Sequence, residues 1–517
     1  MRLTITSLAR RPGVAAPPSG FLGRGGRPAR LAGPAAAAAL VLAAVALAGT
    51  SAARAQDASA GDPGPEARPP NIVFILSDDE DVALHAYAPK IKRLIEDEGT
   101  VFDNAFVTYS LCCPSRASIF RGQYPHNTKV LGNLPPFGGF QTFRRLGRES
   151  STTGTWLQDA GYRTAFYGKY LNGYTEKDAP PPGWDEWHAA NNDGYKGIDY
   201  IMNSNGEAVP YGHAPEDYLT DVIAGKAVDH IRRWSAANEP FYLHIAPFNP
   251  HSPYNPAPRH AGSFANAELP RPPSFDEADV SDKPAWIRSL PRLTEQDIDD
   301  ITGHYRARLE CLQSVDDLAE SVVNALEEAG QLDNTYIVYL SDNGFHLGEH
   351  RMKEGKDTAY EEDIRVPMAI RGPGIPKGQR VSSFVLNTDI APTFAEWSGA
   401  SLPDFVDGRS LMPLFGDVPP ESWRSHFLIQ RNGLESDERP AAQTANSAMA
   451  IRTPTHLWSA YRNGETELYD LRSDPFQLDN IASSADPALI ESMTKRLTEL
   501  ADCRGEDCRR FEDAPLE

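Results

Sequence analysis

Asn71–Asp81 reads NIVFILSDDED, and the folded part of the chain begins abruptly with this stretch. A run of β-forming residues passes directly into a serine that is followed by Asp78 and Asp79. The later run TYIVYL ends in the same way, in a serine that is followed by Asp342 and Asn343. Because ligand sites of open parallel sheets lie beyond the carboxyl ends of the strands, these four polar residues are expected to share one crevice.

Two more predicted strands deliver polar side chains to the same edge of the sheet. RTAFYG is followed by Lys169, and FYLHIAPFN runs on to His251. A single Ser-Asp after a strand is more often an ordinary turn or helix cap, but its recurrence on separate strands favours a site. Three carboxylates and an amide oxygen are hard ligands, which suit Ca²⁺ or Mg²⁺ rather than zinc. A lysine and a histidine beside such an ion make a place for an oxyanion, and the histidine is also suited to proton transfer.

Short β-rich runs alternate with helical patterns along most of the chain, which predicts an α/β fold with a sheet flanked by helices. We assign residues 71–415 to this large domain. The segment GDVPPESW that follows is typical of a linker, and short antiparallel strands and a helix from Pro487 to Ala501 come after it. Residues 416–517 are therefore predicted to form a smaller C-terminal α+β subdomain.

The first 55 residues differ in composition from the rest of the chain. They contain seven arginines, no acidic residue, the apolar run AAAAALVLAAVALAG and a final Ala-Arg-Ala, which together predict a secretory signal peptide. Residues 56–70 are rich in Pro, Gly, Ala and Asp and are predicted to be a flexible tether. We therefore expect an exported protein (secreted, periplasmic or at the cell surface) without stable membrane insertion after cleavage; an uncleaved anchor is the alternative.

The chain of 517 residues is acidic, with a formal net charge of −21 at pH 7. Removal of the seven N-terminal arginines changes this charge to −28. Nucleic acids and anionic membranes need basic patches on the proteins that bind them, so neither is an expected partner. A small anionic substrate, held by a local group of cations, is compatible with the composition.

The segment Leu111–Arg121, LCCPSRASIFR, places two adjacent cysteines directly before a proline. Pro114 suits the first turn of a helix, so the cysteines are expected at the helix N-terminus, where backbone N–H groups favour an anion. Arg116 adds positive charge in the same turn. Cys112 is thus placed to act on an anionic substrate, while a reactive thiol, a metal ligand, a precursor of another group and core packing all remain open for it.

The same segment matches the C-x-P-S-R signature of type I sulfatases, in which the first cysteine is oxidised to formylglycine. The resemblance covers nearly everything after Asn71 and includes GQYPHN, GYRTAFYGKYLNGY, SDNGFHLGEH and ELYDLRSDPFQLDN. Within the family, LCCPSRASI, GKYLN and SVDDL look most like N-acetylglucosamine-6-sulfatases, extracellular heparan endosulfatases and arylsulfatase-like members. The resemblance implies an alkaline-phosphatase-like fold with a large mixed sheet, and hydrolysis of sulfate monoesters on sulfated sugars or aryl groups.

The resemblance also implies which residues hold a divalent cation, Ca²⁺ or Mg²⁺. The implied ligands are Asp78, Asp79, Asp342, Asn343 and the formylglycine that derives from Cys112. The hydrate of this formylglycine would supply the nucleophile toward sulfur, and its second hydroxyl would let sulfate leave, an exit that serine or cysteine lacks. A maturation enzyme that generates formylglycine is the implied protein partner, beside a small sulfated substrate or sulfated glycan.

Four further roles follow from the resemblance. Arg116 would hold the aldehyde hydrate, and Lys169 would bind the sulfate oxygens. Lys356 matches the family lysine that contacts sulfate beside the leaving group. His251 matches the histidine that protonates the departing alcohol.

Two positions depart from the family pattern. Many sulfatases have a second histidine two residues after the first lysine, but Leu171 stands there, and Asn172 is the candidate to fill its space. Arg121 replaces a residue that helps the maturation enzyme to recognise its target, so the conversion of Cys112 is expected to be incomplete or to depend on the host.

The remaining cysteines have structural interpretations. Cys503 and Cys508 are close enough in sequence for a small-loop disulfide in an exported protein. Cys113 and Cys311 are expected as buried apolar thiols. Two other functions stay open: a phosphodiester or phosphonate monoester hydrolase of the same superfamily, and a non-catalytic binder of sulfated glycans with an unmodified Cys112.

Overall fold

The structure, a computed structural model, describes residues 68–416, 420, 422–431 and 447–516. The predicted signal peptide, residues 1–55, lies outside the described residues, as does the predicted tether except for residues 68–70. Across the described ranges, no helix combines the length and the apolar character that a bilayer crossing requires.

Sixteen strands lie in the described residues, and they include those that begin the predicted runs NIVFIL, RTAFYG, FYLHIAPFN and TYIVYL. They are β1 (Asn71–Ser77), β2 (Thr100–Phe102), β3 (Ala105–Phe106), β4 (Arg163–Gly168), β5 (Glu186–Ala190), β6 (Tyr200–Ser204), β7 (Glu207–Tyr211), β8 (Phe241–Ala246), β9 (Thr335–Ser341), β10 (Met368–Arg371), β11 (Gln379–Val381), β12 (Val385–Leu386), β13 (Phe427–Arg431), β14 (Ala448–Arg452), β15 (His456–Tyr461) and β16 (Thr466–Asp470).

The helices of the described residues lie mostly between these strands. They are α1 (Val82–His85), α2 (Pro89–Ile91), α3 (Cys112–Arg121), α4 (Pro125–Thr128), α5 (Gly139–Arg145), α6 (Thr153–Asp159), α7 (Leu219–Ala237), α8 (Ala285–Arg288), α9 (Glu295–Glu328), α10 (Glu361–Ile364), α11 (Ile390–Ser398), α12 (Pro487–Asp502) and α13 (Glu506–Asp513).

A ten-stranded mixed sheet organises the large domain, in the strand order β11-β2-β10-β9-β1-β8-β4-β5-β6-β7. The central strands β9, β1, β8, β4 and β5 are parallel, and β10, β6 and β7 run antiparallel to their neighbours. The predicted fold class, a large mixed sheet flanked by helices with a small C-terminal sheet, is confirmed.

Helices cover both faces of the sheet because side chains of its central strands alternate between two cores. Ile72, Phe74 and Leu76 of β1 pack in a core with residues of α3, α6 and α11. Val73 and Ile75 pack in a second core with α7 and α9. The β1 strand is therefore buried on both faces, as its apolar sequence requires.

A capping box fixes the start of the longest helix, α9. The Thr294 hydroxyl accepts a hydrogen bond from the Asp297 backbone N–H at 3.1 Å, and the Asp297 carboxylate accepts one from the Thr294 N–H at 3.0 Å. Such reciprocal bonds satisfy two of the N–H groups that a helix start leaves without partners.

The C-terminal residues form an antiparallel sheet in the order β13-β14-β15-β16, against which α12 packs. The predicted disulfide between Cys503 and Cys508 joins the end of α12 to α13. Phe106 and Phe384 of the large domain lie in the same apolar cluster. The division into residues 71–415 and 416–517 stays a prediction.

A buried arginine links the C-terminal segment to the start of α11. Arg424 is inaccessible to solvent, and its guanidinium donates to both carboxylate oxygens of Asp389 at 2.6 and 2.8 Å. Its Nε donates to Glu512 Oε2 of α13 at 2.8 Å. Three chain segments are thus joined by one buried cation, which is the ion-pair partner of Asp389, while Glu512 also pairs with Arg409 at 2.9 Å.

We expect Arg424→Met to lower the free energy of unfolding by about 3–5 kcal/mol, because Asp389 would remain buried without a cation. Urea unfolding followed by circular dichroism measures this change. The control is Arg472→Met, which removes an exposed pair with Asp470 and should change stability by less than about 1 kcal/mol. Equal stability of the two variants would contradict the buried-pair argument.

Candidate active site

The predicted crevice begins at the carboxyl ends of β1 and β9. These strands pair in parallel with Ser77 opposite Ser341, so the residues that follow them meet. The Asp79 backbone N–H donates to Asp342 Oδ1 at 3.1 Å, and Asn343 Nδ2 donates to Asp79 Oδ1 at 2.8 Å. Asp79 has a positive φ of 63°, a conformation tolerated by Asp that turns the chain sharply after the strand.

The helix α3 brings Cys112 to these carboxylates. Its first helical residue is Cys112, and Pro114 lies in the first turn, so the predicted position of the cysteines at the helix N-terminus is confirmed. Cys112 Sγ is 3.6 Å from Asp78 Oδ1 and 3.9 Å from Asp79 Oδ1. The end of α3 is set by Gly122, whose positive φ suits a helix C-cap.

Arg116 lies one turn along the same helix and is 1 % exposed. Its Nε donates to Asp342 Oδ2 at 2.7 Å, and its Nη1 donates to the Lys169 carbonyl at 2.8 Å. Arg116 therefore connects α3 to the ends of β9 and β4.

Two lysines complete the inner surface of the crevice. Lys169, directly after β4, places Nζ 2.5 Å from Asp78 Oδ2. Lys356, from the loop before α10, places Nζ 2.8 Å from Cys112 Sγ and also contacts Asp79 Oδ1. Both ammonium groups thus point at the carboxylates beside residue 112.

His251 closes the site on the side of β8. Its Nδ1 donates to the Ser252 carbonyl at 2.8 Å, which leaves Nε2 facing Asp79 Oδ2 at 3.4 Å. The side chain is one-fifth exposed, so this imidazole is the part of the site that solvent reaches.

Tyr195 is a residue that sequence reasoning missed. It lies on the short 3-10 helix Asn192–Lys196, its ring centre is 4.6 Å from that of His251, and Lys169 Nζ is 5.0 Å from its centroid. Asn172 donates to the Tyr195 hydroxyl at 3.2 Å, while Leu171 is buried in the core. Nothing in the local sequence NDGYK marks this tyrosine, because the fold alone brings it to the crevice.

Opposing charges decide the protonation of the acidic groups. Burial raises the pKa of Asp78, but Lys169, His251, Arg116 and Lys356 outweigh that effect and hold the pKa well below its usual range. The partners respond in the opposite direction: although burial lowers the pKa of Lys169, Asp78 holds it above the usual value. Asp78 and Lys169 therefore form a charged pair at neutral pH.

Burial dominates at three other groups. It raises the pKa of the Cys112 thiol to about 12, raises the pKa of Asp342 and lowers the pKa of His251. The unmodified Cys112 is therefore a neutral thiol at pH 7.

All nine predicted site residues lie in this one crevice. They are Asp78, Asp79, Cys112, Arg116, Lys169, His251, Asp342, Asn343 and Lys356. Ligand atoms of Asp78, Asp79, Cys112 and His251 lie within 4.8 Å of one another, close enough to surround one cation. The arrangement offers oxygen ligands on one side and cationic donors on the other.

Comparison with known proteins identifies the family. The family profile described as Sulfatase matches residues 70–400, more than half of the chain. The chain belongs to the sulfatase family. A profile described as N-sulphoglucosamine sulphohydrolase, C-terminal, matches residues 348–503. The protein is therefore an enzyme, and the resemblance seen in its sequence motifs is confirmed.

Individual relatives cover most of the chain. An arylsulfatase of Volvox carteri is 38 % identical over 503 residues, which span 85 % of this chain and 75 % of the relative. An N-acetylglucosamine-6-sulfatase of Homo sapiens is 35 % identical over 477 residues, 86 % of each chain. A solved structure of a protein in complex with its substrate D-glucosamine-2-N,6-O-disulfate has a TM-score of 0.72 and 26 % identity and covers 87 % of this chain and 100 % of that one.

Lys169→Ala and Lys356→Ala should each remove roughly 2–4 kcal/mol of transition-state stabilisation, on the scale of one lost oxyanion donor. The measurement is kcat/KM for an aryl sulfate, with circular dichroism as a check on folding. Lys353→Ala is the matched control, because this neighbouring lysine is two-thirds exposed and pairs only with Asp297 among the described contacts. If the Lys169 or Lys356 variant is as active as the control, that lysine only balances the charge of its carboxylate partner.

Proposed function

We propose that the enzyme hydrolyses the 6-sulfate ester of N-acetylglucosamine-type sugars in sulfated glycans and turns over aryl sulfates as surrogates. The observation that carries the hydrolase chemistry is the convergence of two lysines, an arginine and a histidine on the side chain of residue 112. The substrate class rests on the relatives named N-acetylglucosamine-6-sulfatase and on the neighbour that binds a 6-O-sulfated glucosamine.

The chain's own residues fit a divalent cation. Asp78, Asp79 and Asp342 supply carboxylate oxygens, and Asn343 Oδ1 is a buried acceptor without a hydrogen-bond partner among the described residues. An unpaired buried oxygen beside three carboxylates is the donor chemistry that Ca²⁺ or Mg²⁺ requires. Such an ion would neutralise the carboxylates and polarise a sulfate oxygen.

Residue 112 is proposed to be formylglycine in the active enzyme, made from Cys112 by a separate maturation enzyme. The hydrated aldehyde would supply the nucleophile toward sulfur and the means of releasing sulfate, which the unmodified thiol lacks. Lys356, which contacts the side chain of residue 112, and Arg116, which pairs with Asp342 beside it, would fix the position of this group. Export of the protein is proposed from the composition of residues 1–55.

The remaining side chains hold the ester and move one proton. Lys169 would contact the sulfate oxygens, because its ammonium already lies beside Asp78 at the floor of the crevice. His251 Nε2 faces the crevice, and once this nitrogen takes up a proton the imidazolium would be the candidate to donate it to the departing sugar oxygen. Tyr195 packs on His251 and Lys169 and would limit how far either side chain swings.

Asp342→Asn keeps the shape of the Asp342 side chain and removes its negative charge. We expect loss of turnover, and also loss of the Tm increase that Ca²⁺ gives the wild type, since the cation stabilises only the folded state. Asp333→Asn, at an exposed position of the same chain segment, serves as the control and should keep both. Full activity of the wild type after exhaustive chelation would overturn the metal assignment.

Cys112→Ala should fold but be inactive, whereas Cys113→Ala should be modified and active. Both thiols are buried and both have a pKa raised by burial to about 12, so the pair is matched in environment. Only Cys112 has the C-x-P-S-R spacing and lies beside Lys356. Peptide mass spectrometry locates the aldehyde, and an aldehyde at residue 113 would overturn the assignment.

Substrate class is tested separately with N-acetylglucosamine 6-sulfate, an aryl sulfate and a phosphonate monoester of the same aryl alcohol. The proposal expects a higher kcat/KM for both sulfates than for the phosphonate. Preference for the phosphonate would favour the alternative hydrolase function.

A further inference from the structure

A second group of metal-ligand side chains lies away from the reaction centre. Glu186 and His188 belong to β5, and His230 belongs to α7, which packs on the same face of the sheet. Glu186 is the first residue of β5, which pairs in parallel with β4, whereas Lys169 follows the last residue of β4. Glu186 therefore lies toward the opposite ends of these strands from Lys169. We call Glu186, His188 and His230 the β5–α7 triad.

His188 is the member of the triad whose ring nitrogens have no hydrogen-bond partner among the described residues. The residue is 5 % exposed, and neither of its ring nitrogens has a hydrogen-bond partner within the described part of the chain. A buried imidazole needs at least one partner, because an unpaired polar atom in the interior costs about 1–3 kcal/mol. The two nitrogens therefore point to a ligand that is neither protein backbone nor side chain.

The spacing of the triad fits a metal ion. His188 Nε2 is 3.5 Å from Glu186 Oε2, His230 Nε2 is 3.7 Å from Glu186 Oε1, and all ligand atoms lie within 4.8 Å of one another. Zinc bonds of about 2.0–2.1 Å in a tetrahedron place ligand atoms about 3.3 Å apart. The two imidazole–carboxylate separations are thus within a few tenths of an ångström of those in a zinc site, and side-chain rotations would bring all three ligands to one ion.

His230 is already held in the orientation that a ligand needs. Its Nδ1 is 2.5 Å from the buried Tyr167 hydroxyl, so Nε2 is the nitrogen that faces Glu186. A ligating histidine normally donates its other N–H to an oxygen, and Tyr167 can accept that bond. Burial further lowers the pKa of His188 to about 3 and that of His230 to about 4, so both rings are neutral at pH 7.

Charged and polar side chains surround the triad, and two of them donate hydrogen bonds to Glu186. Arg233 donates to Glu186 Oε1 at 2.5 Å, and Asn205 donates to Oε2 at 2.7 Å, so Glu186 keeps its negative charge. Lys226 disfavours a charged His188, and Asp229 favours a charged His230. These partners satisfy Glu186 but leave His188 unpaired.

We propose that the β5–α7 triad binds one Zn²⁺ ion, or a related late first-row ion, which joins β5 to α7. Two imidazoles and one carboxylate are the ligand types that zinc prefers, whereas the oxygen-rich reaction centre suits Ca²⁺ or Mg²⁺. The two sites therefore differ in metal class, and the ion at the triad has a structural role that does not depend on the proposed substrate.

The test titrates Zn²⁺ alone into the full chain by calorimetry, with the reaction centre saturated by Ca²⁺. We expect one zinc equivalent per chain and a zinc-dependent rise in Tm. His188→Phe should lose both, since it removes the nitrogens but retains a ring that stacks on Tyr167 and on His230. His213→Ala, at an exposed histidine, is the control and should behave as the wild type.

Two further variants keep the test decisive if His188→Phe folds poorly. Glu186→Gln should weaken zinc binding at least tenfold. Arg233→Gln, at a half-exposed residue, should tighten it at least threefold, because it removes a cation that competes for the carboxylate. No zinc binding by the wild type, or equal binding by the wild type and Glu186→Gln, would overturn the proposal.

Discussion

Three carboxylates crowded at the ends of two adjacent parallel strands are the constraint on which the reaction centre depends. Asp78, Asp79 and Asp342 are almost fully buried, where an uncompensated negative charge costs several kcal/mol. Three cations and an imidazole from four separate segments surround them: Arg116 of α3, Lys169 after β4, His251 after β8 and Lys356 before α10. The fold of the domain brings these four segments together at the carboxyl ends of the central strands.

The sequence was sufficient to predict the strands that end at the crevice and the residues that follow them. Their apolar runs and terminal Ser-Asp pairs are local signals, and parallel-sheet geometry supplies the rest. The position of the two cysteines at the start of α3 was also predicted, although the exact first residue was not, because Pro114 is compatible with several positions in a first helical turn. Tyr195 was missed for a different reason: its role depends on packing between distant segments, which has no periodic signature in NDGYK.

The crevice also explains how an acidic protein can act on an anionic substrate. A chain of net charge −21 repels sulfate at long range, but at physiological salt this repulsion is screened beyond about 8 Å. Inside the crevice two ammonium groups and a guanidinium contact the side chain of residue 112 or the carboxylates beside it, and screening is weak there. In the proposed function these local cations, and not the overall charge, would decide how tightly the substrate binds.

The burial of α3 has a consequence for how the enzyme is made. All ten residues of this helix are buried, and Arg121 is held by the carbonyls of Arg148 and Ser151 and lies 4.2 Å from the centroid of the Phe405 ring. A second protein cannot bind this segment in the folded domain, because all of its residues are buried. The oxidation proposed for Cys112 would therefore have to precede folding, and a molecule that folds first would keep an unmodified thiol. The specific activity of a preparation would then depend on the fraction of chains that were modified before they folded.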